Sequence, residues 1–182
     1  VMQKTALLII DVQTAMFTYE NFKLFNEQQI LANLLQLVEK ARSSQIPVIF
    51  IQHTSSDETD EFYRGSSTWE IYPMLSPRAD ELIIQKTTWD AFHLTPLHEE
   101  LQKLEIEHLI IAGMQTEFCL DTSCRRAFSM GYQNVLVQDA HSTFDGRILT
   151  AGQIIQHHNA IIGGRFAKLK TTSELIEQEM GR

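Results

Sequence analysis

Leu109-Ile110-Ile111-Ala112-Gly113-Met114-Gln115-Thr116-Glu117-Phe118-Cys119 begins as a short apolar run and ends on a thiol. The run from His108 to Ala112 reads as a buried strand, and Leu120 to Met130 reads as a helix closed by Gly131. Cys119 therefore sits at a strand-to-helix junction. A helix N-terminus carries roughly half a positive charge and several unpaired N–H groups, which favour a thiolate and can hold a developing oxyanion. A lone cysteine is also a good small buried apolar residue, so the rest of the chain has to decide between the two roles.

Outward from this stretch, apolar runs alternate with helical periodicity. Ala6 to Ile10 is a strand ending in Asp11, and Glu27 to Ser44 carries Ile30, Leu31, Leu34, Leu35, Leu37, Val38 and Ala41 at helical spacing. Val48 to Ile51 follows Pro47 as a second strand. A polar stretch from His53 to Pro77 reads as a long irregular loop before a strand at Leu82 to Gln85. Thr95-Pro96 begins a helix in the manner of an N-cap followed by a first-turn proline, with Leu97, Leu101 and Leu104 on one side. Val135 to Val137 reads as a further strand. A helix from Thr150 through Ile162 stops at Gly163-Gly164, and Ala167 to Lys170 forms a sixth candidate strand before a last helix. Apolar strands each followed by a helix predict a single α/β domain over residues 1–182. Its architecture is a three-layer sandwich around a mostly parallel sheet of five or six strands, of Rossmann type.

Ligands of such sheets bind at the carboxyl ends of the strands. Three candidate groups lie at three of those ends: Asp11 after the first strand, Lys86 after the third and Cys119 after the fourth. A buried carboxylate beside an ammonium is held as an ion pair, and a carboxylate beside a thiol can take its proton. Together they make an activated thiol without a histidine.

Composition excludes other classes. With 182 residues and 43% hydrophobic content the chain can bury a full core. A formal charge of -8 argues against a sequence-independent grip on nucleic acid or an anionic membrane, and the short Lys168-Leu169-Lys170 run does not reverse this. No apolar stretch approaches the roughly 20 residues that span a bilayer, so a cytoplasmic protein is expected. Cys119 and Cys124 on one helix would lie about 140° apart around its axis, beyond disulfide reach, and two cysteines alone provide no zinc framework. No Gly-x-Gly-x-x-Gly follows the first strand, which disfavours a dinucleotide-dependent oxidoreductase.

The chain resembles the isochorismatase-like cysteine hydrolases. The resemblance is carried by Ala6-Leu7-Leu8-Ile9-Ile10-Asp11-Val12-Gln13, by Lys86 with Ala91-Phe92 and Thr95 behind it, and by Gly113-Met114-Gln115-Thr116-Glu117-Phe118-Cys119. It continues through Arg126-Ala127 and Gly131-Tyr132 to Asp139-Ala140. It implies that Asp11 accepts the thiol proton, Lys86 keeps Asp11 ionised, and Cys119 attacks a carbonyl carbon to form a thioester. It further implies a non-proline cis peptide between Met114 and Gln115, with the backbone N–H groups of Gln115 and Cys119 as the oxyanion hole. The implied reaction is hydrolysis of a C–N bond in a small amide, ureido or carbamoyl compound.

Aromatic residues near the strand ends, Phe17, Trp69, Trp89 and Phe92, could wall a pocket for a small planar substrate or simply pack in the core. Phe17, Trp69 and Phe92, together with His53 at the end of the second strand, are the substrate-binding candidates. Glu117 and Arg126 read as structural or interface residues, and Arg125 as a solvated helix residue. Nicotinamidase-type relatives carry a metal-binding Asp-x-His after the second strand; here Gln52-His53-Thr54-Ser55-Ser56 stands instead, so neither metal nor cofactor is expected. Two alternatives stay open. One is an isochorismatase-type vinyl-ether hydrolase using Asp11 and Lys86 without a covalent step; the other is a non-catalytic binding or assembly member. A homo-oligomer acting on a small molecule is expected.

Overall fold

The computed structural model describes residues 4–180. Six strands form one sheet: β1 (Thr5–Ile10), β2 (Val48–His53), β3 (Leu82–Lys86), β4 (His108–Met114), β5 (Gln133–Ser142) and β6 (Lys168–Lys170). Their order is β3-β2-β1-β4-β5-β6 and every pairing is parallel. The chain thus winds outward from β1 to one edge and then returns to build the other half from β4. The crevice between β1 and β4, where the winding direction reverses, is where such sheets bind ligands.

Because side chains alternate along a strand, each strand feeds two cores. Leu7, Ile9, Val48, Phe50, Ile110 and Ala112 pack against Ile30, Leu34, Leu37 and Val38 of α1 (Glu27–Ser43). Leu8, Ile10, Ile49, Ile51, Leu109 and Ile111 face the other layer. There they meet Leu97 and Leu101 of α2 (Leu97–Lys103), Cys124 and Ala127 of α3 (Asp121–Ser129), and Ile162 of α4 (Ala151–Ile162). Burial on both faces explains why the strands read as continuous apolar runs rather than alternating ones. Thr150 caps α4 through a reciprocal capping box with Gln153. The chain closes with α5 (Thr172–Glu174) and a π turn at Leu175–Glu179. Among the described residues no helix is long and apolar enough to cross a membrane.

Two elements differ from the sequence reading, and both concern the site. β5 runs ten residues, well past the apolar triplet Val135 to Val137. Its polar end is held by specific partners: the Asp139 carbonyl accepts from Asn33 Nδ2 at 2.6 Å, the Asp139 carboxylate accepts from Thr172 at 2.8 Å, and Ser142 Oγ donates to the Phe25 carbonyl at 2.7 Å. Periodicity cannot detect a strand stabilised in this way. The segment Thr116–Leu120 is a separate π turn, and α3 begins only at Asp121. The Gln115 carbonyl accepts from both Phe118 N–H, at 3.1 Å, and Leu120 N–H, at 3.2 Å. Cys119 accordingly lies inside a widened turn and not just ahead of a regular helix.

Gly113 lets β4 lie against β1 at the crevice. Its φ is +125°, and a Cβ there would stand 2.1 Å from the Ile10 carbonyl oxygen. The pairing of β4 with β5 also shifts register between Ile111 and Gly113. Gly113→Ala is expected to destabilise the fold by roughly 3 kcal/mol or more, because the blocking atoms are backbone and cannot swing away. Equilibrium urea unfolding measures this, and a loss under about 1 kcal/mol would show that the two strands can separate there.

Candidate active site

Asp11 follows β1 in a left-handed backbone conformation, φ 50°, which Asp tolerates better than most residues. Its N–H still bonds to the Ile51 carbonyl at 3.0 Å, so the residue is fixed to the end of β2 as well as β1. Lys86 closes β3. Both side chains are essentially inaccessible, and Lys86 Nζ lies 2.8 Å from Asp11 Oδ2. The same ammonium is 3.2 Å from Cys119 Sγ, 2.8 Å from the Thr88 carbonyl and 2.9 Å from His53 Nδ1. The three candidates from three strand ends are thus brought together. The other carboxylate oxygen, Asp11 Oδ1, is buried without a hydrogen-bonding partner among the described residues.

Asp11, His53 and Cys119 line a cavity of about 300 Å³ together with Met16, Phe62, Trp89, Gln115 and Phe118, and Lys86 lies buried behind them. Gln115 stands at one wall, joined to Met114 by a cis peptide bond. Its side-chain oxygen accepts from Thr143 Oγ1 at 3.3 Å. The same hydroxyl lies 2.7 Å from Glu117 Oε1, which gives Glu117 a partner in the turn that carries Cys119.

The other substrate-binding candidates lie elsewhere. Phe17 packs on Tyr72, ring centroids 4.2 Å apart. Trp69 donates its indole N–H to Thr54 Oγ1 at 3.0 Å, and its carbonyl accepts from the side chains of Gln13 and Gln52. Phe92 is buried in the α2–α3 core and stacks on Tyr132. Trp89 and Phe118, each about half exposed, take the wall positions instead, with Met16 and Phe62. Trp89 and Phe118 were accessible from sequence because they adjoin Lys86 and Cys119. Phe62 carries no local signal. It reaches the cavity because the loop after β2 folds back, with Ser55 pairing to Tyr63, and its ring meets His53 edge-on at 5.3 Å.

Electrostatics revise the expectation of a resting thiolate. Burial, and after it the charge of Asp11, push the Cys119 thiol up to about 12, outweighing the opposing influence of Lys86. The sulfur thus rests as a thiol beside a carboxylate, an arrangement suited to proton transfer on demand. Cys124 is pushed up to about 12, first by burial and then by the charge of Asp121, with Arg125 acting in the opposite sense. Arg125 is not merely solvated: it pairs with Asp121 and lies over the Phe166 ring. Arg126 approaches Asp90 at 3.8 Å. Asp11, His53 and Cys119 offer ligand atoms within 4.8 Å of one another. The Lys86 ammonium stands within hydrogen-bonding distance of all three residues, however, so a metal cation there would have to displace a buried positive charge.

A second buried group supports the turn. His141 of β5 is fully buried, with Nδ1 2.8 Å from Thr116 Oγ1 and Nε2 2.8 Å from Asn159 Oδ1. Because Asn159 Oδ1 can only accept, the neutral ring donates from Nε2 and accepts at Nδ1. It thereby ties the Cys119 turn to α4.

A match to the family model described as Isochorismatase domain covers residues 5–155. Among curated relatives, the uncharacterised isochorismatase family protein YrdC of Bacillus subtilis is 31% identical over 96% of this chain and 95% of its own. Nicotinamidase 3 of Arabidopsis thaliana is 29% identical over 77% of this chain and 74% of its own. Among solved structures, an isochorismatase from Pseudomonas putida superposes with a TM-score of 0.89 at 31% identity, covering 95% of this chain and 90% of its own.

Two measurements test this geometry. If the Asp11 charge raises the thiol, Asp11→Asn shifts the midpoint of Cys119 alkylation by iodoacetamide to lower pH while Cys124 is unchanged; a midpoint unchanged or higher would refute that influence. For His141, burial pushes the imidazole down to about 4 in the folded chain from an ordinary 6.5. The unfolded chain therefore binds the extra proton between those values. The stabilisation is complete above pH 6.5 and is lost as pH falls toward 4, by up to roughly 3 kcal/mol. Urea unfolding against pH should show this slope in the wild type and a flatter one in His141→Gln.

Proposed function

The chain belongs to the isochorismatase family of hydrolases, and on that premise we propose that it cleaves the C–N bond of a small amide, ureido or carbamoyl substrate through a thioester on Cys119. The observation that carries the reading is the buried Asp11–Lys86 ion pair, 2.8 Å, with Cys119 Sγ 3.2 Å from the same ammonium, Asp11 and Cys119 both lining the cavity.

In this reading Asp11 takes the thiol proton as the sulfur attacks the substrate carbonyl carbon. Lys86 stabilises the negative charge throughout, and the backbone N–H groups of Gln115 and Cys119 receive the oxyanion. Collapse of the tetrahedral adduct breaks the C–N bond, and the amine leaves with the proton that Asp11 returns. Water then adds to the thioester carbonyl, giving its proton to Asp11. Expulsion of the sulfur, which recovers a proton, completes a carboxylic acid and restores the thiol.

The walls support the substrate class. Met16, Phe62, Trp89 and Phe118 are apolar, and the Asp11 carboxylate that lines the cavity with them is already matched by buried Lys86. A neutral substrate with a flat or aromatic flank fits this lining better than one presenting a free charge. That a relative is named a nicotinamidase supports amide over vinyl-ether chemistry.

A screen of small neutral amides for ammonia release is the test. Cys119→Ala is expected to lower turnover of any hit at least about a thousandfold, and intact-protein mass spectrometry should detect the acyl adduct on Cys119 in the wild type. Full activity in Cys119→Ala would reject the covalent route and favour an ether hydrolase working through Asp11 and Lys86.

A further inference from the structure

Lys86 has more neighbours than protons to offer. An ammonium carries three N–H donors and no acceptor, yet four acceptors surround Nζ: Asp11 Oδ2 at 2.8 Å, the Thr88 carbonyl at 2.8 Å, His53 Nδ1 at 2.9 Å and Cys119 Sγ at 3.2 Å. Two of these, Thr88 and His53, take no part in the proton exchange between thiol and carboxylate. The other two are its end points. We infer that His53 is a positioning residue: with the Thr88 carbonyl it anchors two N–H groups of Lys86, leaving the third to follow the negative charge as it passes from Asp11 to the Cys119 sulfur. The inference rests on the proposed thiol chemistry at the same site.

Three features of the site support this assignment. Because the ammonium can only donate, the contact fixes the imidazole tautomer, with Nδ1 bare and the proton on Nε2. The residue is also fixed behind the ring, through its backbone. Gln13, wholly buried, accepts from the His53 backbone N–H at 2.8 Å and donates to the His53 backbone carbonyl at 2.9 Å, while Phe62 meets the ring itself edge-on. Finally, an imidazole protonated at Nδ1 would lose its role as acceptor and place a second positive charge against the ammonium. Burial, and then the Lys86 charge, hold the imidazole below its usual range, so that state is reached only on acidification. The charged and titratable groups facing His53 are Lys86 on β3, Asp11 after β1, Cys119 in the turn after β4, and Asp60 and Glu61 in the loop after β2. The three acids act in the opposite sense and more weakly than Lys86.

Replacing His53 therefore has two separable effects. Leucine removes the acceptor, freeing a second N–H of Lys86 to bind the Asp11 carboxylate and make it a poorer base. Asparagine can put an amide oxygen where Nδ1 stood, keeping the acceptor while removing the titration.

The experiment has two arms. In the first, long-range ¹H–¹⁵N correlation spectra of the full chain at pH 7.5 read the tautomer of His53. Nδ1 should resonate as an unprotonated nitrogen and Nε2 as a protonated one, and the His53 titration should move to higher pH in Lys86→Met. A protonated Nδ1 in the wild type overturns the inference, whether or not the Lys86 variant folds. In the second arm, hydrolysis of 4-nitrophenyl acetate is followed against pH, after showing that Cys119→Ala abolishes it. His53→Leu should lower kcat at least tenfold with little change in KM. His53→Asn should recover most of that loss and shift the acid limb of the profile to lower pH. Equal losses in Leu and Asn, or an acid limb unmoved in Asn, overturn the inference. Hydrolysis that survives Cys119→Ala rejects the proposed chemistry instead, and the tautomer then still decides whether His53 anchors Lys86.

Discussion

A charged ammonium sealed beneath the carboxyl edge of a parallel sheet is the constraint on which this structure turns. Removing Lys86 and Asp11 from water costs several kcal/mol for each ion, and their mutual attraction alone does not reliably return that cost. The surroundings must complete the solvation. Lys86 gains the Thr88 carbonyl and His53 Nδ1 beside its carboxylate. Asp11 gains less, since Oδ1 stays without a partner among the described residues. The unmatched valence thus sits on the carboxylate, next to the thiol that would give it a proton.

Much of the irregular backbone around the site serves this arrangement. The left-handed turn at Asp11, the register shift at Gly113 and the π turn from Thr116 to Leu120 each interrupt a regular element within a few residues of the ion pair. Regular geometry would direct these side chains along strand or helix faces, where they would belong to the two apolar cores. Behind the interruptions stand fully satisfied polar groups: Gln13 bridges β1, His53 and Trp69, and His141 bridges the Cys119 turn to Asn159. Such buried amides and imidazoles contribute little net stability, but they penalise alternative placements heavily because any shift leaves a donor or acceptor unpaired.

What could be read from the chain divides along the same line. Strand runs such as Ala6 to Ile10 and the helical spacing of apolar residues in α1 report burial directly, and the order of strands and helices then left few topologies to consider. Asp11, Lys86 and Cys119 were legible because a strand end is a position in sequence as well as in space. Of the cavity walls, only the positions near those residues, Trp89 and Phe118, could be read. Phe17, Trp69 and Phe92 are aromatic and near strand ends, yet they satisfy packing or hydrogen-bonding needs inside the protein. Phe62 enters the cavity through a loop whose fold depends on the backbone pairing of Ser55 with Tyr63, Thr14 N–H with the Glu70 carbonyl and Ala15 N–H with the Thr68 carbonyl. Those contacts bridge as many as 56 residues of sequence, and no local pattern encodes them. The protonation state of Cys119 was also hidden. The position of a thiol relative to a helix start is readable, but the depth of its burial and the direction of the nearest carboxylate are not.

The contrast between floor and walls bears on how the site can work. Apolar side chains above an ion pair lower the local dielectric, which strengthens every interaction with charge that forms there and weakens any tolerance for charge brought from outside. The neutral carbonyl compound proposed as substrate would enter such a cavity at little cost. In the proposed reaction negative charge would then appear only as the sulfur attacks, near Lys86 and the backbone N–H groups proposed to receive it. Trp89 and Phe118 line this cavity while remaining about half exposed. Burial of Cys119 leaves little water at the sulfur to stabilise a resting thiolate. A thiol held up to about 12 is therefore consistent with a working nucleophile, because the proton need leave only when a carbonyl carbon is in place to take the electrons.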